Sequence, residues 1–83
     1  MDVGVEFNEA AFSHGISKED IIHALKTSIH DGVINEFPEQ CAVIGFDRKW
    51  KPLEIMYNPI DEKSINVFHA MKLRNSFVKM LGI

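Results

Sequence analysis

Cysteine, tryptophan and tyrosine occur once each in these 83 residues, and proline three times. A lone Cys41 excludes an intramolecular disulfide and fits a reducing compartment, so a cytoplasmic protein is expected. Cys41 lies in an apolar run, where a buried inert thiol is a better reading than a catalytic one. No apolar stretch approaches the ~20 residues that cross a bilayer, so no membrane association is expected. The opening Met-Asp-Val-Gly-Val-Glu-Phe lacks the basic start and apolar stretch of a secretory leader. There is no Gly-rich phosphate loop, no Ser-His-Asp order and no zinc-type spacing among the four histidines, so neither metal nor other cofactor is expected. Repeats, low-complexity tracts and linkers are missing too, which leaves residues 1–83 as a single domain. So short a chain buries only about 60–65% of its unfolded surface, and a partner subunit, a homodimer included, would add stability.

Basic charge is scarce at first and then abundant. Residues 1–47 carry nine acids against Lys18 and Lys26, a balance of −7. Residues 48–83 carry seven cations against Glu54, Asp61 and Glu62, a balance of +4. The net −3 argues against nucleic-acid binding by bulk electrostatics, yet a local cationic face from the second half remains available.

Hydrophobic spacing predicts an α+β fold: two N-terminal helices, a three- to four-stranded antiparallel meander, and a C-terminal helix. Asn8 can cap a short helix over Glu9 to Ser13, and Gly15 supplies a left-handed stop. Ser17-Lys18-Glu19-Asp20 is a capping-box variant opening a second helix over roughly residues 18–29, with Ile21, Ile22, Leu25 and Ile29 as its apolar stripe. Period two then takes over. Val33 to Phe37, Cys41 to Phe46, Leu53 to Tyr57 and Ser64 to His69 read as strands. Met71, Leu73, Phe77, Val78, Met80 and Leu81 form the apolar side of the closing helix. One sheet face should lie under the helices and the other should be open.

The richest chemistry lies in Ser64 to Arg74, read as a strand running into a helix with His69 at the junction and Lys72 and Arg74 in the first turns. Metal-independent RNA cleavage needs a base, an acid, and cations for the developing phosphorane charge. His69 can serve as base or acid, and Arg74 and Lys72 can hold the phosphate. The bland alternative is a hydrogen-bonded histidine at a sheet edge. His14, beside Gly15, is either functional or a cation at a helix C-terminus. Arg48-Lys49-Trp50-Lys51 can stack a base on the indole and hold phosphates with its cations; alternatively the indole folds back over the core.

Several segments resemble the BrnT-like toxins of bacterial type II toxin–antitoxin systems, which share the RelE-like ribonuclease fold. Phe7-Asn8-Glu9-Ala10 looks like that family's aromatic-Asp-Glu-Ala opening. Ser13-His14-Gly15-Ile16-Ser17 is similar to its Lys-His-Gly-Val-Ser element. Val43-Ile44-Gly45, Leu53 to Tyr57 and Ile65 to Lys72 resemble its later strands. A divergent branch, with His-Gly-Val-Ser-Glu-Glu-Asp-Ile and Ile-His-Ala-Met-x-x-Arg, is nearest to His14 to Ile21 and Phe68 to Arg74. The chain departs in three places: Ser13 replaces a lysine, Met71 replaces an arginine, and Asn58-Pro59 follows Tyr57. The resemblance implies an RNA-cleaving toxin restrained by a small DNA-binding antitoxin. With the residue types read above, the candidate catalytic residues are then His69, Arg74 and His14, and the candidate RNA contacts are Lys72 and, from the hairpin's own chemistry, Arg48, Lys49, Trp50 and Lys51. The alternatives are a non-catalytic interaction module on the toxin fold and a small RNA-binding protein.

Overall fold

In the computed structural model, which describes residues 3–83, Gly4–Phe7 forms a strand, β1. Met1 and Asp2, at the head of the segment read for a leader, lie outside the described residues. Asn8 then turns the chain, its Oδ1 accepting the Ala10 N–H at 2.9 Å, and Glu9–Phe12 makes one 3-10 turn. Gly15 takes the left-handed φ of +78° that its position asked for. Ser17 caps α1, Lys18–Lys26: its hydroxyl accepts the Asp20 N–H at 3.2 Å and bonds Asp20 Oδ2 at 3.1 Å. Four strands and a helix follow: β2 His30–Glu36, β3 Glu39–Phe46, β4 Pro52–Asp61, β5 Ser64–Lys72 and α2 Asn75–Leu81.

The strands join in the order β1-β5-β4-β3-β2. From β2 to β5 the sheet is the antiparallel meander that short connections require. β1 adds to it in parallel, Gly4 opposite Ser64 and Phe7 opposite Val67. Ile21, Ala24 and Leu25 of α1 pack on one face, against Val43, Leu53, Ile55 and Val67. Fully burying each of those four strand residues is worth about 1.5–3 kcal/mol. α1 lies so close to β3 that a Cβ on Gly45 would collide with the Ala24 carbonyl. On the other face Phe77 of α2 covers Ala42 and Ile44, flanked by Met56, Leu73, Val78 and Leu81.

This corrects the expected architecture in several respects. The sheet has five strands and is mixed, where three or four antiparallel strands were expected. The expected first helix is a single 3-10 turn, so only one α-helix precedes the meander. That helix ends at Lys26, three residues early, because Thr27 fastens it to β3. The Thr27 hydroxyl donates to the His23 carbonyl at 2.9 Å and accepts the Phe46 N–H at 3.0 Å. The Ile29 N–H then bonds the Ile44 carbonyl at 2.8 Å, drawing the chain into the sheet. At the other end β5 continues past His69 to Lys72, since Leu53 to Met56 of β4 supply its pairing partners. Met71 is therefore a strand residue, and Leu73 lies in the connection before α2. Neither sheet face is bare, because α1 and α2 take one each.

Register gives the uneven charge a spatial meaning. Phe46 faces Pro52 and Leu53 faces Lys72, so the 47–51 turn and the Lys72–Arg74 segment share one end of the sheet. Glu36, Glu39, Asp61 and Glu62, with Lys63 among them, occupy the opposite end.

Candidate active site

Glu54 is the third residue of β4, between Leu53 and Ile55, and none of it reaches solvent. Strand alternation turns it away from α1, to the face shared with Met56. An ionised carboxylate buried alone is too costly to persist. Glu54 is instead met by four donors. Oε1 accepts the Arg74 backbone N–H at 2.9 Å and Arg74 Nε at 3.1 Å. Oε2 accepts Arg74 Nη2 at 2.7 Å and His69 Nε2 at 2.8 Å. Burial by itself pushes the Glu54 carboxyl up, but the Arg74 and His69 hydrogen bonds outweigh it and hold it below the usual carboxylate range. The same carboxylate raises Arg74.

An ionised carboxylate can only accept, so His69 Nε2 carries a proton and Nδ1 is the ring nitrogen left for other work. Nδ1 has no hydrogen-bond partner among the described residues, and no buried side-chain nitrogen or oxygen there lacks one. It therefore meets solvent, although the His69 side chain as a whole is only 20% exposed. His14, just past the 3-10 turn and exposed, stands edge-on to His69 with ring centroids 5.6 Å apart. The arrangement is an imidazole with one nitrogen anchored by a buried carboxylate, the other open, and a second imidazole beside it. Such a pair can pass protons to and from a bound molecule.

The structure thus joins His69 and Arg74, five positions apart, on one carboxylate, and brings His14 from 55 positions away to the side of His69. His69 is inside β5, not at a strand–helix junction, and Arg74 precedes the first residue of α2. Lys72 stays outside the cluster: it pairs with Leu53 and takes the α1 face. Arg48 is bound to Asp20 of α1, Nε to Oδ1 at 2.9 Å, and this contact holds the Asp20 carboxyl down to about 2. Lys49, Trp50 and Lys51 are exposed in the turn, and no hydrogen bond, ion pair or ring contact among the described residues links them to Glu54. Among the described residues no three metal-donor side chains converge.

Glu54 is absent from the candidates that the sequence offers, where it counts only among the acids of the second half. The available signal was its setting: an acid between two apolar residues in a strand with neighbours on both sides must find buried donors. Comparison with protein-family models, with curated proteins and with solved structures finds no match to this chain.

Proposed function

We propose that this protein is a metal-independent endoribonuclease of the BrnT-like toxin kind, with His69 and His14 as its acid–base pair. The observation that carries the reading is the Glu54–His69 hydrogen bond of 2.8 Å, with His69 Nδ1 left open and His14 alongside. His69 Nδ1 takes the proton from a ribose 2′-hydroxyl, and the Glu54 carboxylate behind Nε2 stabilises the resulting imidazolium. The 2′-oxygen attacks the adjacent phosphorus, and the bond from phosphorus to the 5′-oxygen breaks. Protonated His14 gives its proton to that leaving oxygen. The products are a 2′,3′-cyclic phosphate and a 5′-hydroxyl. Arg74 Nη1, which Glu54 does not use, is available to a phosphate oxygen.

Two further points support the toxin reading. The segments that carry the resemblance, His14 to Ser17 and Phe68 to Arg74, contribute to one cluster. The exposed cations Lys49, Lys51 and Lys72 lie at the same end of the sheet as Arg74, and none makes an ion pair among the described residues. A toxin of this kind carries with it a small DNA-binding antitoxin as partner.

The test is cleavage of a single-stranded RNA in a chelator by the wild type, His69→Ala and His14→Ala. Each variant should lose about 10²–10⁴-fold in rate, with cyclic phosphate ends on the wild-type products. Undiminished cleavage by folded His69→Ala would sink the assignment. One observation favours a second reading, a non-catalytic interaction module: Glu54 already neutralises much of Arg74. That reading predicts no RNA turnover and no growth arrest on induced expression.

A further inference from the structure

We propose that the 47–51 turn is a binding site for one unpaired nucleobase of single-stranded RNA, stacked on Trp50, with Lys49 and Lys51 on the flanking phosphates. This deepens the ribonuclease reading and rests on it for the choice of RNA as ligand.

Trp50 is 65% exposed. Tryptophan is usually among the most buried residues of a small domain, because its ring is the largest apolar surface available. Here the chain holds the ring out. Trp50 has a φ of +63°, a left-handed backbone that a bulky side chain rarely adopts. Asp47 enforces it. The Asp47 carbonyl accepts the Trp50 N–H at 2.9 Å, and Asp47 Oδ1 accepts the Lys49 and Lys51 N–H groups, each at 2.9 Å. The Asp47 N–H closes the turn on the Lys51 carbonyl at 2.9 Å.

The ring is braced as well as raised. His23 meets it nearly edge-on at 5.2 Å between centroids, and Phe46 lies at 6.1 Å. His23 is fixed in turn through Nδ1, 2.7 Å from the Phe46 carbonyl oxygen. A planar surface fixed beforehand loses little freedom when a second plane stacks on it. Lys49 and Lys51 flank the ring in sequence and are exposed, whereas the neighbouring Arg48 is taken up by Asp20. An open aromatic plane between two available cations matches a base with a phosphate on each side. A duplex hides the faces of its bases, so the match is to single strands.

Trp50 is the only tryptophan in the chain, so its fluorescence reports this site alone. The experiment is titration of the protein with an uncleavable 2′-O-methyl RNA oligomer, single-stranded and as a duplex. Saturable quenching by the single strand, and much less by the duplex, is expected. Two phosphate contacts should give a log K against log salt slope of about −1.4. Followed by anisotropy of a labelled oligomer, Trp50→Ala should bind about 5- to 150-fold more weakly and Trp50→Phe nearly as well as the wild type. Lys49→Ser/Lys51→Ser, with the indole in place, should flatten the salt dependence. Equal quenching by the duplex, or unchanged binding by folded Trp50→Ala, overturns the inference. Quenching that persists in His69→Ala with no cleavage by the wild type keeps this site and removes the ribonuclease. Cleavage by the wild type without quenching does the reverse.

Discussion

Arg48 and Arg74 are gripped in the same way and to different effect. Each gives its backbone N–H and its Nε to one oxygen of a carboxylate from another element, at 3.0 and 2.9 Å for Asp20 and at 2.9 and 3.1 Å for Glu54. The guanidinium groups are similarly placed too, with side chains 58% and 51% exposed. The carboxylates differ. The Asp20 side chain is 26% exposed and spends its second oxygen on the Ser17 hydroxyl. Glu54 has no exposure and spends its second oxygen on Arg74 Nη2 and His69. Geometry alone therefore does not set the worth of an ion pair. In water a lost partner is replaced by solvent, whereas in the sheet interior nothing replaces it.

The largest effect should come from Glu54→Ala. Glu54→Ala leaves a void and takes the acceptor from the Arg74 backbone N–H and from His69 Nε2, and should cost about 2–5 kcal/mol, read from the urea midpoint. A cost no greater than that of Asp20→Asn would erase the distinction. Next comes acid. The Glu54 carboxyl is held below its unfolded value, so its stabilisation is complete above ~4.3 and drains away as pH falls through the lower folded value. Asp20, held at about 2, acts in the same direction between ~3.9 and about 2. A pH series of thermal midpoints should show the acid limb flattened both by Glu54→Gln and by Asp20→Asn, and an unchanged limb in either variant would mean that its carboxylate is not held down by its arginine. The smallest effect should be Asp20→Asn at neutral pH, where molar salt already weakens the wild-type pair. A midpoint that falls as far as that of Glu54→Ala would mean the pair is shielded from water in solution.

The pattern of what sequence revealed follows from the range of the forces involved. Caps and turns were legible because they are local: Asn8 on Ala10, Ser17 on Asp20, the left-handed Gly15. The buried run from Cys41 and the alternation from Leu53 marked β3 and β4 because a strand between two others writes its burial into consecutive residues. β1 was missed because four residues carry no period, and what makes them a strand is β5. The end of β5 was misread as helix because β4, not local spacing, keeps residues 69–72 extended. Glu54 escaped for the same reason: its donors lie 15 and 20 positions away. His69 and Arg74 could be singled out by residue type, but their common partner could not.

The parallel pairing of β1 with β5 sets a timetable for the newborn chain. Gly4 and Ser64 are sixty positions apart, so at ~5–20 residues per second β1 leaves the ribosome about 3–12 s before its neighbour is made. His14 waits for His69 almost as long. A copy interrupted before β5 would have half of the imidazole pair and no carboxylate-anchored half at all. On the ribonuclease reading, the translation machinery making this protein is shielded from it by the order of synthesis, until the final strand closes the sheet.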